Sequence, residues 1–128
     1  MARKKSSHLT EAELRLMQVL WTRGPATVAE VLDALPAKPA LAYSTVITTL
    51  RILETKGYVR HTKDGRAFHY EPVVARQDAR RSALHQLLHR FFEGSPELLM
   101  ASLFETGEID RAEFRRLRKL IDQAERKS

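Results

Sequence analysis

The chain has 128 residues, 43% hydrophobic and 30% charged, with 22 Lys and Arg against 16 Asp and Glu and a formal charge of +6 at pH 7. That length suits one globular domain or two small ones, and the basic excess points to a polyanionic partner without saying which. There is no cysteine and no apolar run longer than four residues, which excludes disulfides, thiolate metal sites, thiol catalysis and a membrane-spanning helix. The basic start Arg3, Lys4, Lys5 leads into Ser6, Ser7 and His8 and not into an apolar segment, unlike a secretory signal. A cytoplasmic protein without membrane insertion is expected.

Thr10 to Glu13 reads as a capping box, in which the Thr hydroxyl and the Glu carboxylate each satisfy a free amide of the first turn. Leu9 and Leu14 flank it as a hydrophobic staple, and Leu14, Met17 and Trp21 continue at helical spacing until Gly24-Pro25. Thr27 to Glu30 repeats the box and opens a short helix with Val28, Val31, Leu32 and Leu35 inward, ended by Pro36 and Pro39. A third helix runs from Tyr43 to Lys56 and stops at Gly57, with Val46, Leu50 and Leu53 on its core stripe. Ser44, Thr48, Arg51 and Thr55 fall on the opposite face, a row of short hydroxyls with one arginine.

Period two then replaces period 3.6. Tyr58 to Thr62 and Arg66 to Tyr70 are β-prone runs joined through Lys63-Asp64-Gly65, the chemistry of a hairpin turn, and Pro72 ends the second run. From Arg76 the pattern is helical again, with Leu84, Leu87, Leu88, Phe91 and Phe92 on a wide apolar face. Ser95-Pro96 starts a short helix carrying Leu98, Leu99 and Leu103. Asp110 to Glu113, stapled by Ile109 and Phe114, starts the last, which adds Leu117, Leu120 and Ile121. Residues 76–128 thus carry more apolar surface than about 50 residues bury against themselves, and they read as an oligomerisation element.

Three helices followed by a hairpin is the order of a winged helix-turn-helix, whose third helix enters the major groove while the hairpin follows the backbone. Short hydroxylic side chains allow close approach and can donate or accept at base edges. Residues 1–71 hold 11 Lys and Arg against 7 Asp and Glu, so this half carries +4 of the +6. Its cations include Arg51, Arg60, Lys63 and Arg66 on the third helix and hairpin. The expectation is a mainly α fold with a small β-hairpin wing, divided into a DNA-binding domain at 1–72 and a helical dimerisation domain at 73–128. Tyr43, Ser44, Thr45, Thr48, Thr49, Arg51, Lys63 and Arg66 are the candidate DNA contacts. Leu84, Leu87, Leu88, Phe91, Phe92, Leu98, Leu99, Phe114, Leu117, Leu120 and Ile121 are the candidate dimer contacts.

His85 and His89 are spaced like zinc ligands on a helix but lack the accompanying Glu of the His-Glu-x-x-His pattern, so no metal or other cofactor is expected. His61 and His69 fall on paired strands, where packing or phosphate contact is the expectation. No nucleophile, base and orienting group recur at an interpretable spacing, and no enzyme is expected. A protein-interaction module would explain the apolar helices but not the hydroxyl-lined third helix. An RNA-binding module would explain the charge but favours exposed aromatics.

The runs Leu9-Thr-Glu-Ala-Glu-Leu, Ala42-Tyr-Ser-Thr-Val-Ile-Thr-Thr-Leu, Leu53-Glu-Thr-Lys-Gly-Tyr-Val, Lys63-Asp-Gly-Arg-Ala-Phe-His-Tyr-Glu-Pro and Phe91-Phe-Glu-Gly-Ser-Pro, in this order, resemble the penicillinase-repressor family, the BlaI/MecI/CopY group. The resemblance implies a homodimeric bacterial repressor of β-lactamase or cell-wall stress genes that binds palindromic operators. It places Ser44, Thr45 and Thr48 in the groove and Lys63 and Arg66 on the wing. Ile47 and Ile52 stand where relatives often carry Gln or Arg, which would favour a thymine methyl contact. Thiolate copper sensing, a property of one branch, is excluded by the missing cysteines. For the antibiotic-responsive relatives the resemblance implies a membrane sensor-protease pathway, and the aligned bond here is Ser102-Leu103. Proteolytic induction, direct ligand control and constitutive repression remain alternatives.

Overall fold

The computed structural model describes residues 8–38 and 40–127; the basic start at Arg3, Lys4 and Lys5 and the helix-ending Pro39 lie outside the described residues. The chain divides into two compact units, the first ending at Ala83 and the second beginning at Leu84.

The first unit contains α1 (Glu11–Arg23), β1 (Ala26–Thr27), α2 (Val28–Ala34), α3 (Tyr43–Lys56), β2 (Val59–Asp64) and β3 (Ala67–Pro72). Both expected capping boxes form. Thr10 N–H donates to Glu13 Oε1 at 2.9 Å while Glu13 N–H donates to Thr10 Oγ1 at 3.2 Å, and Thr27 and Glu30 repeat the same distances. α3 ends as expected at Gly57, whose φ of +89° is open to glycine at little cost. Leu16, Met17 and Leu20 of α1, Val31 of α2 and Val46, Leu50 and Leu53 of α3 are fully buried, and Tyr58 just before β2, Val59 of β2 and Tyr70 of β3 close the core.

The burial pattern of α1 corrects its expected stripe. Leu16, Met17 and Leu20 face inward, whereas Leu14 is 38% exposed and Trp21 is half-buried. Apolar residues cover a wide arc of this helix, and packing on α2 and α3 selects the stripe one step round from Leu14 and Trp21. Trp21 is held at the edge of the core, its Nε1–H donating to Val74 O at 2.9 Å with the Arg76 guanidinium 5.6 Å from its ring centre.

The sheet is antiparallel in the order β1-β3-β2, so the hairpin carries a third strand that sequence periodicity does not reveal. β1 is two residues long, pairing Ala26 with Tyr70 and Thr27 with His69. The β2–β3 register pairs Lys63 with Phe68 and Asp64 with Ala67, leaving Gly65 and Arg66 as the turn. Of the expected connection Lys63-Asp64-Gly65 only Gly65 lies in the turn: Lys63 and Asp64 are strand residues and Arg66 shares the tip. Gly65 has a φ of +65°, the conformation a II′ hairpin requires at its first turn position.

α4 (Arg76–Phe91), α5 (Pro96–Glu105) and α6 (Arg111–Lys127) follow, and the division between units falls inside α4, later than the boundary at 72–73 read from the sequence. The beginning of α4 belongs to the first unit because Arg76 engages both the Trp21 ring and the Thr22 hydroxyl. In the second unit Ser95 caps α5 through Leu98 N–H at 3.1 Å, with Pro96 in the first turn. Asp110 and Glu113 form the third capping box at 3.0 and 2.8 Å. Phe104 and Phe114 meet at 5.5 Å between ring centres. Among the described residues none after Tyr70 is buried, and Leu84, Phe91, Leu120 and Ile121 are each more than half exposed.

Candidate nucleic-acid interface

α3 divides into three faces. Val46, Thr49, Leu50 and Leu53 are buried. Ser44, Thr45, Thr48, Arg51 and Thr55 are exposed, as the helical count predicts, and Tyr43 is 51% exposed at the first turn. Tyr43, Ile47, Arg51 and Glu54 form the flank beside the wing. Thr49 is a correction to the candidate contacts. It is only 7% exposed, and its hydroxyl donates to Thr45 O at 2.7 Å, so it is a packed residue of the core stripe and unavailable to a groove. Ile47 is also half-buried and packs on the core, which leaves Ile52, 42% exposed, as the outward isoleucine.

The wing is braced against α3. His61 Nδ1 lies 2.8 and 2.9 Å from the two carboxylate oxygens of Glu54, and its ring stacks on Phe68 at 4.5 Å. The register places His61 opposite Tyr70 and His69 opposite Thr62, so the two histidines point to opposite faces of the sheet and do not form a pair. Packing, one of the two roles expected, is the role His61 has. Burial pushes the Tyr70 phenol above its ordinary range, Glu54 adds to the rise, and the Arg51 guanidinium beside it opposes both.

The distribution of ion pairs separates structural from available cations. Among the described residues Arg15, Arg23, Lys56, Arg60 and Arg81 are paired with carboxylates. Arg60, counted from the sequence with the basic cluster, is thus neutralised locally by Glu71. Arg51, Lys63 and Arg66 have no carboxylate partner among the described residues. Such cations can exchange water and counter-ions for phosphate without first breaking an ion pair, although Arg51 also hydrogen-bonds the Tyr70 phenol. α3, the start of α2 and the wing also enclose a cleft of about 440 Å³, lined in part by Tyr43, Ile47, Arg51, Arg66, Phe68 and Tyr70. Sequence reading missed Phe68 and Tyr70 as neighbours of this surface, because only the hairpin register brings them to α3.

The start of α3 differs from those of α1, α2, α5 and α6. Ala42 occupies the N-cap with φ −76° and ψ 154°, but it offers no side-chain acceptor, whereas Thr10, Thr27, Ser95 and Asp110 cap α1, α2, α5 and α6. The first turn of α3 therefore keeps backbone donors that an external anion can satisfy. No group of three or more His, Asp or Glu able to hold a metal occurs among the described residues. No helix there is long and apolar enough to cross a membrane.

Residues 9–123 match the family model described as penicillinase repressor. The chain belongs to that family. The penicillinase repressor of Bacillus licheniformis is 28% identical over 120 residues, 94% of each protein. The transcriptional regulator BlaI of Mycobacterium tuberculosis is 41% identical over 75 residues, 58% of this chain and 54% of that protein. Among solved structures, monomeric Bacillus licheniformis BlaI in complex with the blaP half-operator superposes with a TM-score of 0.50 at 33% identity, covering 59% of this chain and 93% of that one. This penicillinase-repressor family member is accordingly a DNA-binding transcriptional repressor with a winged-helix unit, and its family is not one of enzymes.

Proposed function

We propose that the chain represses transcription in the cytoplasm as a homodimer, each winged helix reading one half of a palindromic operator. The observation that carries this reading is that Arg51 and Arg66, which line one cleft between α3 and the wing, and Lys63 on the same wing are unpaired with any described carboxylate, while α3 exposes a hydroxyl face. Thr48, Ser44 and Thr45 contact base edges or adjacent phosphates, Tyr43 and the uncapped first turn approach the backbone, and Lys63 and Arg66 hold the flanking strand. The apolar surfaces of α4, α5 and α6, none of them buried among the described residues, are covered by the second copy. Half-sites are then separated by about one helical turn or a multiple of it.

The test is an operator titration across salt, using the promoter upstream of the protein's own gene. Three phosphate-contacting cations per protomer give a slope of log K against log salt of about −5 or steeper for the dimer. Lys63→Ala lowers that slope by about 2 and weakens all duplexes alike. An unchanged slope removes the wing from the interface, and equal affinity for operator and random duplex removes the operator reading.

A sensor protease cutting at Ser102-Leu103 would act inside α5. Ser102 O accepts from Thr106 N–H at 3.0 Å and from the Thr106 hydroxyl at 2.9 Å, while Leu103 O accepts from Glu108 and Ile109 N–H. A protease needs extended backbone, so cleavage here requires the last turn of α5 to unwind first. Cleavage then detaches α6 from the dimer element and forfeits the advantage of linked half-site binding, about 10² to 10⁴ in apparent affinity.

A further inference from the structure

The geometry points to the α3–wing cleft as an effector site for a small planar organic anion, an aryl carboxylate in chemical class, whose binding releases DNA. The inference rests on the operator-binding reading, because it names what would regulate that same surface. The cleft, about 440 Å³, falls in the size range of small-molecule sites. Its lining contains two guanidiniums, Arg51 and Arg66, and no carboxylate. The nearby acids are committed elsewhere: Glu54 to His61 at 2.8 Å, and Glu30 to Thr27 N–H at 2.9 Å with Arg23 at 3.5 Å.

The rest of the lining selects against a bare inorganic anion. Tyr43 and Phe68 expose ring surface, while Ile47 and Tyr70, packed into the core, present an apolar floor. A flat apolar body can lie against these side chains while its carboxylate takes a guanidinium in the bidentate geometry arginine favours. The walls are pre-organised, since β3 is the central strand, Tyr70 is buried, and the His61–Glu54 contact fixes the wing to α3. Arg51 and Arg66 are also proposed phosphate contacts. An anion that takes either guanidinium in the cleft therefore removes that cation from the DNA surface, and by linkage the operator lowers affinity for the anion by the same factor.

The experiment titrates the full-length protein with sodium benzoate, following backbone amide shifts, with benzyl alcohol and inorganic phosphate as controls. Operator release is then measured by fluorescence anisotropy over the same benzoate range at constant ionic strength. A ligand this small should bind in the millimolar range. The expected result is saturable shifts at Tyr43, Ile47 and Phe68, at lower concentration for benzoate than for either control, with operator release tracking saturation. Phe68→Ala and Arg66→Gln should each weaken benzoate about tenfold, and the amide spectrum of each variant checks that it is folded. Equal responses to benzoate and phosphate reduce the effect to anion screening and overturn the proposal, as do shifts confined to other surfaces or benzoate binding without operator release. Affinity for operator without benzoate is measured separately. Tight operator binding with no benzoate response defeats only the effector site, whereas benzoate binding by a chain that ignores its operator defeats the operator reading and the regulation built on it.

Discussion

If the first turn of α3 approaches the DNA backbone as proposed, its unfilled N-cap makes stability and DNA binding compete for the same backbone donors, and Ala42→Asp tests that competition. The backbone at Ala42 already has cap geometry, with φ −76° and ψ 154°, and its carbonyl accepts from Thr45 and Val46 N–H at 3.0 and 3.1 Å. An Asp side chain can therefore cap without moving the chain. A capping oxygen in place of alanine is worth about 1 kcal/mol, and a negative charge at the helix start adds about 0.3–1 kcal/mol. For a unit of this size the midpoint of thermal unfolding should rise by about 4–8 °C per kcal/mol. On operator DNA the same carboxylate occupies the donors meant for a phosphate and repels it, lowering affinity about tenfold per half-site and more for the dimer. Ala42→Ser separates the two effects, since it caps without charge and should lose less affinity. Thermal unfolding and anisotropy titrations on one preparation read both quantities. If Ala42→Asp is more stable and binds operator as tightly as the parent, the start of α3 does not approach the backbone and the proposed docking is wrong.

Lys56→Met should destabilise the first unit by about 1–3 kcal/mol by stranding the buried Glu13 carboxylate, which Lys56 meets at 2.7 Å. Burial alone would raise the Glu13 carboxyl, but hydrogen bonds from Lys56 and Thr10 and the lysine charge outweigh it and hold the group below its ordinary 4.5. This contribution is therefore complete above pH 4.5 and is lost as pH falls through the lower folded value; urea unfolding between pH 3 and 7 should show a shallower acid-side decline in Lys56→Met than in the parent. Thr48→Ala should relax base preference with stability nearly unchanged, and Thr49→Ala should do the reverse, costing about 1 kcal/mol with base preference intact; exchange of these two results would place the wrong face of α3 in the groove. Leu120→Asp puts a charge on a residue 60% exposed in one chain and should give monomers at low micromolar concentration in sedimentation, whereas an unaltered dimer would show that α6 lies outside the interface.

Local chemistry was legible in the sequence wherever a few adjacent residues decide the outcome. The boxes at Thr10, Thr27 and Asp110, the Ser95-Pro96 start and the Gly57 stop all occur where their side chains dictate. What was not legible depends on residues far apart in the chain. Two residues of β1 have no measurable period, and only pairing with His69 and Tyr70 makes them a strand. Glu13 reads as a cap and is one, yet its second role needs Lys56, which folding alone brings to it. Arg60 looks like a DNA-facing cation until the register sets Glu71 opposite. Thr49 was misplaced because hydroxyls were grouped by type, although its angular position beside Val46 and Leu53 already put it on the apolar stripe.

The three faces of α3 also limit where base preference can change. Substitution on the Val46, Thr49, Leu50 and Leu53 face disturbs the core, where a lost methyl or an added polar group is felt directly. The flank of Ile47, Arg51 and Glu54 braces the wing through Tyr70 and His61, so a change there should move the proposed phosphate contacts on the hairpin along with any base contact. Only the face of Ser44, Thr48 and Thr55, with Thr45 and Ile52 at its margin, can vary without moving another element. A thymine methyl contact, if made by an isoleucine of α3, therefore falls to Ile52, because Ile47 is already committed to packing.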